Sequence, residues 1–250
     1  MHSTNYIVGF VAIMTTVVAI VLTALFLGLK ERSDQNAAIF NKRAILSAVK
    51  DQLGDKDPKY MDDQEVLDVF SNQIQQISLD MSGNEVSSAE IEALGYKGGQ
   101  AEHIDMKKEK KKPEEDRVLP LYIFDTGSEK IYIISVRGNG LWDEIWGNIA
   151  LSNDLNTIVG AAFDHQGETP GLGAEIKDNP SFPNMFKGKK IYDASGKYLS
   201  VVGVKGGTTK EDLHEVDVIA GATVTSDGVT EMMVRGIKYY EPYFNKIQSN

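Results

Sequence analysis

The sequence predicts an α+β fold: a single N-terminal transmembrane helix followed by one domain with a mainly antiparallel sheet and flanking helices. Three observations carry this. Tyr6 to Leu29 contains no charged residue. Between Leu121 and Val204, short β-branched and aromatic runs alternate with Gly, Asp, Asn and Ser turns, as strands joined by tight connections do. Val229, Met232, Met233 and Ile237 recur at helical spacing near the end of the chain. Strands in succession, rather than strict strand–helix alternation, favour α+β.

Taken in order, "YIVGFVAIMTTVVAIVLTALFLGL" (6–29) is long enough to cross a hydrocarbon core of ~30 Å as a helix. Thr15, Thr16 and Thr23 are tolerated there because a hydroxyl can bond back to a carbonyl of the preceding turn. A cleaved signal peptide needs a charged leading region and a shorter apolar stretch, and neither is present. A buried core helix is the other alternative. Lys30, Arg32, Lys42 and Arg43 follow the span, so the positive-inside rule alone leaves the large domain in the cytoplasm.

The segment 30–112 is expected to be a helical stalk and a polar insertion. Ile39, Phe40, Ile45, Leu46 and Val49 fit a helical stripe, Asp57-Pro58 a turn, and 63–73 a second helix. The Gly/Ser/Lys-rich stretch 80–112 is expected to be a mobile insertion, with "MKKEKKK" (106–112) a solvated basic loop. The folded core is expected from about Arg117, giving a domain over 113–250. Its strands are "LYIF" and "KIYIISV" around a turn at 125–128, the segment after "RGNG", and "TIVGAAFDHQ". A hairpin at Ser195-Gly196-Lys197 follows, then a terminal helix ended by Glu241-Pro242.

Composition narrows the chemistry. The 250 residues carry a net charge of −10, which opposes binding to nucleic acid through phosphate neutralisation. There is no cysteine, which excludes disulfides, thiol nucleophiles, iron–sulfur clusters and c-type haem. His2, His103, His165 and His214 lack ligand spacing, so no metal site is expected. Any redox chemistry must ride on an organic cofactor.

Two glycine-rich loops remain. "GETPGLGAE" (167–175) matches neither a dinucleotide fingerprint nor a P-loop. It is an ordinary turn unless a ligand approaches its backbone. "VDVIAGATVTSDGV" (216–229) enters small residues from a strand-like run and opens a helix near Asp227. The bland reading is a helix cap by Thr225 or Ser226. The sharper one is a phosphate at a helix N-terminus, where unpaired amides and the helix dipole stabilise an anion, contacted by or esterified to a threonine.

Here "DVIAGATVTS" resembles the flavinylation motif of the FMN-binding domain family. With the single span, "GETPGLGAE" and "GLWDEIWGNIAL", nearly the whole chain is similar to the C subunits of sodium-translocating NADH:quinone oxidoreductases. The resemblance implies that 113–250 is an FMN-binding domain. It implies FMN joined through its phosphate to Thr223 by a flavin transferase that uses FAD, with Thr225 the competing hydroxyl. It implies a flavin pocket from Gly221, Ala222, Val224, Leu141, Trp142, Glu168, Thr169, Gly171, Leu172 and Gly173, with no catalytic side chain; Trp146 is instead expected to pack in the core. It further implies an electron relay in the bacterial inner membrane, facing the periplasm. Multispan B, D and E subunits and the NADH-oxidising F subunit would be its neighbours. Ala220 departs from the usual Ser/Thr before Gly-Ala-Thr, while Asp217 is kept. The rivals are the homologous G subunit of Rnf electron-transport complexes and a cofactor-free, membrane-tethered binding module.

Overall fold

A computed structural model describes residues 3–249; His2 lies outside them. The chain divides into two units, 1–41 and 42–250. Helix α1 (Thr4–Ser47) is continuous. Its apolar stretch is fully exposed and is long and apolar enough to cross a membrane. The hydroxyls of Thr15 and Thr16 donate to the carbonyl of Ala12 at 3.0 and 2.8 Å, which satisfies them without a partner helix.

In the second unit, the last turns of α1 bury Ile45 and Leu46, and Val49 follows them into the core. Arg43 ties this turn down by donating to the carbonyls of Pro58 and Met61 and pairing with Asp63 at 3.0 Å. Helix α2 (Asp63–Gln73) opens on a capping box, in which Asp62 accepts the Glu65 amide and Glu65 accepts the Asp62 amide. It runs directly into β1 (Ile74–Asp80). Helices α3 (Ser88–Ala93) and α4 (Met106–Glu109) follow.

Strands β2 (Val118–Asp125), β3 (Lys130–Asn139), β4 (Glu144–Leu151) and β5 (Ile158–His165) complete a five-stranded sheet. Its order is β1-β2-β3-β4-β5 and every pairing is antiparallel. β2 is buried at every position but its last. Continuous burial of this kind means that both faces of the sheet are covered. Leu121, Ile134, Val136 and Ile149 pack with Val229, Met232, Met233 and Ile237 of the terminal helix. On the other face, Tyr122 meets Phe70 of α2 edge to face, with ring centroids 6.0 Å apart.

After β5 come two single turns, α5 (Glu175–Asp178) and α6 (Ser181–Asn184), then β6 (Val202–Val204) and β7 (Glu215–Asp217). The last two pair in parallel. Helix α7 (Thr223–Lys238) crosses β3, and α8 (Glu241–Gln248) closes the chain. Small residues set the depth of α7. A Cβ at Gly228 would run into the Asn139 carbonyl, and one at Gly236 would sit 2.7 Å from Val136 Cγ1. The helix therefore lies close on β3, and its N-terminus is carried to the loops at the end of the sheet.

Several expectations change. The folded unit starts at Lys42, not near Arg117, because β1 is an edge strand of the same sheet. The stretch 80–112 is folded, with Ile91, Tyr96, Ala101 and Ile104 buried. Within the basic run, Asp105 caps α4 and Glu109 is fully buried, accepting the Val118 amide at 2.8 Å. At Ser195-Gly196-Lys197 only a Tyr192–Tyr198 bridge forms among the described residues, since the next segment pairs with β7 instead. Glu241-Pro242 opens α8 rather than ending α7 alone, because proline fits the first helical turn, where no amide bond is lost. Trp146 is half-buried beneath the Arg137 guanidinium, 5.0 Å from the ring centroid, and lies outside the main core.

Candidate functional site

Helix α7 begins at Thr223, four residues earlier than the Asp227 expected from sequence, and Ala222 is its N-cap without any side-chain cap bond among the described residues. The first amides of a helix have no intrahelical acceptor. Those of Thr223, Val224 and Thr225 therefore face outward at the positive end of a 16-residue helix. Ser226 does not cap the helix; its hydroxyl accepts the Ile219 amide at 3.1 Å and fixes the incoming chain. The approach needs Gly221, whose φ of +80° is costly for any residue with a Cβ. Asp217, at the end of β7, accepts the Thr208 amide at 3.0 Å.

The two threonines are in different surroundings. Thr223 is exposed, whereas Thr225 is buried. The Thr225 hydroxyl donates to Oε2 of Glu168 at 2.5 Å. Glu168 is itself buried, and its other oxygen accepts the Trp142 amide at 2.9 Å. Its own amide donates to Nδ1 of His165 at 3.1 Å. Burial pushes the Glu168 carboxyl pKa up. The Thr225 hydroxyl and the amides of Trp142, Leu141 and Asp143 outweigh this and hold it below the ordinary glutamate value. Three segments distant in sequence thus meet on one carboxylate.

They enclose an open cleft of about 200 Å³ lined by Leu141, Glu168, Thr169, Leu172, Gly173 and the 221–225 turn. Of the residues expected from sequence, Gly221, Ala222, Thr223, Val224, Thr225, Leu141, Glu168, Thr169, Leu172 and Gly173 all line it. Trp142 stands at its rim, its indole N–H donating to Thr169 Oγ1 at 3.1 Å. Gly171 lies in the same loop, at a φ of +74°. The cleft is narrow where the segments cross: a Cβ on Gly173 would meet the Thr225 hydroxyl at 2.6 Å, and one on Gly140 would meet Glu168 Oε1 at 2.5 Å.

The cleft walls are apolar and uncovered. Leu141, Trp142, Leu172 and Val224 are 52, 69, 42 and 53% exposed. Large apolar side chains left open around one depression mark a binding site rather than a folding core. A flat apolar ring with a phosphate tail would fit this arrangement, the ring against the walls and the phosphate at the amides of α7. Sequence reasoning missed the central place of Glu168, which it named only as one pocket residue. It also missed His165 behind that carboxylate. A lone glutamate in a glycine loop carries no periodic signal, and its partners come from positions 26 and 57 residues away.

Comparison with known proteins places the chain in a family. A family model described as "FMN-binding domain" matches residues 140–238. The chain is 34% identical over 217 residues to the C subunit of the Na(+)-translocating NADH-quinone reductase of Pseudomonas aeruginosa, covering 82% of this chain and 80% of that protein. The corresponding Vibrio campbellii protein is 31% identical over 240 residues, covering 88% and 85%. Among solved structures, the C subunit from Parabacteroides distasonis superposes with a TM-score of 0.72 at 32% identity, covering 86% of this chain and 96% of that one. Shewanella oneidensis NqrC superposes with a TM-score of 0.67 at 26% identity, covering 84% and 96%. The chain therefore belongs to the family of Na(+)-translocating NADH-quinone reductase C subunits and carries its FMN-binding domain.

Proposed function

We propose that this chain is the membrane-anchored, FMN-carrying C subunit of a sodium-translocating NADH:ubiquinone reductase, and that FMN is held by a phosphoester to Thr223. The observation that carries the attachment site is the contrast between the two hydroxyls. Thr223 is exposed at the first helical position, beside unpaired amides. The Thr225 hydroxyl is buried and engaged by Glu168. A flavin transferase needs an accessible hydroxyl. In the transfer, the Thr223 oxygen bonds to the FMN phosphorus of FAD, the pyrophosphate P–O bond breaks, AMP leaves, and the hydroxyl proton is released to solvent. Ala220 is exposed next to this turn, so the missing hydroxyl there leaves no buried partner unsatisfied.

When bound, FMN supplies electron acceptance and return. The protein's own residues have other tasks. Leu141, Trp142 and Leu172 would flank the ring, Thr169 holds the Trp142 indole, and the α7 amides would meet the phosphate. Glu168 holds the three segments in register. The chain is an electron relay: it has no nicotinamide fingerprint, so NADH oxidation belongs to the F subunit. One span without an ionisable residue forms no sodium path, which leaves transport to multispan B, D and E subunits. Residues 6–29 anchor the chain, and the flavin is carried within 113–250.

The soluble unit is assigned to the periplasmic face of the bacterial inner membrane, although the basic residues after the span lean the other way. Protease added to cells with permeabilised outer membranes should degrade it, and protection would put it in the cytoplasm. Co-expression with a flavin transferase, followed by a denaturing gel under ultraviolet light, tests covalent attachment. A fluorescent band is expected for the wild type and Thr225→Ala, and none for Thr223→Ala. A dark wild-type band would favour the cofactor-free binding module.

A further inference from the structure

The basic segment 106–117 forms one wall of a second cavity, of about 180 Å³, that shares no lining residue with the flavin cleft. Its other walls are β3 from Ser135 to Asn139, α7 from Gly228 to Gly236, and Tyr239 just beyond that helix. Leu119, Val136, Met232 and Tyr240 contribute apolar surface. Charge around it is unbalanced. The carboxylate of Glu144 serves Arg137 at 2.8 Å, Lys107 at 3.2 Å and Lys110 at 3.8 Å. Glu114 is shared by Arg235 at 2.8 Å and Arg117 at 4.0 Å, and Glu231 lies 3.3 Å from Arg235. Among the described residues, five cations in these pairs thus face three carboxylates, in a chain whose net charge is −10. Glu109, also on the wall, is matched by Lys112 at 2.7 Å and adds nothing to the balance.

One donor is left over, while Lys110 Nζ donates to the Gly138 carbonyl at 3.2 Å and to Asn139 Oδ1 at 2.5 Å, and Arg117 and Arg235 also hold protein acceptors. Nε of Arg137 is buried and has no hydrogen-bond partner among the described residues, although its Nη1 holds Glu144 and its plane covers Trp146. A buried donor without an acceptor bears its full desolvation cost, and surplus positive charge in a partly desolvated space raises that cost further. Lys110 registers the same environment. Burial lowers its pKa, and Arg137 and Arg235 lower it further, against the opposing pull of Glu144 and Glu231.

We propose that this cavity binds a small carboxylate anion with a compact apolar body. Arginine and lysine side chains match a carboxylate in charge and hydrogen-bond geometry. The apolar side chains accept the remainder of the ligand. The volume is close to that of an engineered cavity of ~150 Å³ that takes up benzene, so benzoate is the natural probe. The site does not depend on flavin attachment.

The test uses the full-length chain in detergent, produced without a flavin transferase so that no flavin quenches emission. A Trp142→Phe background leaves Trp146, which stacks under Arg137, as the only tryptophan. Benzoate should change Trp146 emission saturably and raise Tm, while the neutral analogue benzyl alcohol at equal concentration should do neither. Lys110→Met should weaken benzoate roughly tenfold or more, the effect of losing one charge-assisted bond. Arg235→Gln, at a more exposed position, should also weaken it and serves if the first variant folds poorly. Absence of saturation, an equal response to benzyl alcohol, or unchanged affinity in both variants would overturn the proposal. None of these outcomes bears on flavinylation, which the Thr223→Ala gel reads separately.

Discussion

Replacing Glu168 by glutamine probes the junction that holds the cleft together. The carboxylate accepts the Trp142 amide on one oxygen at 2.9 Å and the Thr225 hydroxyl on the other at 2.5 Å. Glutamine offers one oxygen. The least costly arrangement keeps that oxygen on the Trp142 amide and turns the Thr225 hydroxyl into an acceptor for the new NH2. Both bonds survive, but both lose charge assistance, and a hydrogen bond to an ionised group exceeds a neutral one by ~1 kcal/mol or a little more. The expected loss is about 2–3 kcal/mol, or a Tm lowered by ~4–12 °C in a folded unit of this size. The pH dependence adds a second check. The folded-state pKa of Glu168 lies below its ordinary value, so its contribution is complete above a pH of ~4.3 and is lost as pH falls through the depressed folded value. Thermal unfolding of the flavin-free full chain, followed by circular dichroism over a series of pH values, reads both effects. The gap between wild type and variant should be largest at neutral pH and close on acidification. A variant as stable as the wild type at neutral pH, or a gap that does not change with pH, would refute the role of a charged Glu168.

Two further substitutions test the frame behind the cleft. Tyr240 is fully buried, with its hydroxyl 2.9 Å from the carbonyls of both Pro120 and Ser135; Tyr240→Phe should cost about 1–2 kcal/mol in chemical denaturation without reducing flavin incorporation. Gly228→Val places a branched side chain against the Asn139 carbonyl and should cost ~1–3 kcal/mol through overpacking. Because α7 must lift off β3, its covalent flavin yield should fall as well, which separates it from Tyr240→Phe.

The apolar N-terminal helix and strands β2 to β5 are legible in the sequence because each rests on a local signal: an uncharged run of sufficient length, or β-branched runs punctuated by turn residues. The opening helical stripe and the helix over 63–73 are legible for the same reason. β1 is not. "IQQISLD" is polar at several positions and sits before a Gly/Ser/Lys-rich stretch, and only pairing with β2, some forty residues away, makes it a strand. The stretch 80–112 misleads because Ile91, Tyr96 and Ile104 are isolated apolar residues in a charged background, yet they meet Val118 in a small core of their own. At the site, the segments are recognisable through their glycines and the Gly-Ala-Thr turn. Their meeting point is not. Nothing local to Glu168 announces that it will accept a hydroxyl from Thr225 and an amide from Trp142. Composition likewise cannot show that the basic run folds against α7 and faces more cations than carboxylates.

The most direct test of covalent attachment is to isolate the peptide spanning Val216 to Val229 from chain matured with a flavin transferase and fragment it in a mass spectrometer. The exposed hydroxyl at the first turn of α7 predicts the FMN mass on Thr223 and an unmodified Thr225. FMN on Thr225 would contradict this, because that hydroxyl would first have to leave Glu168 and the interior of the protein.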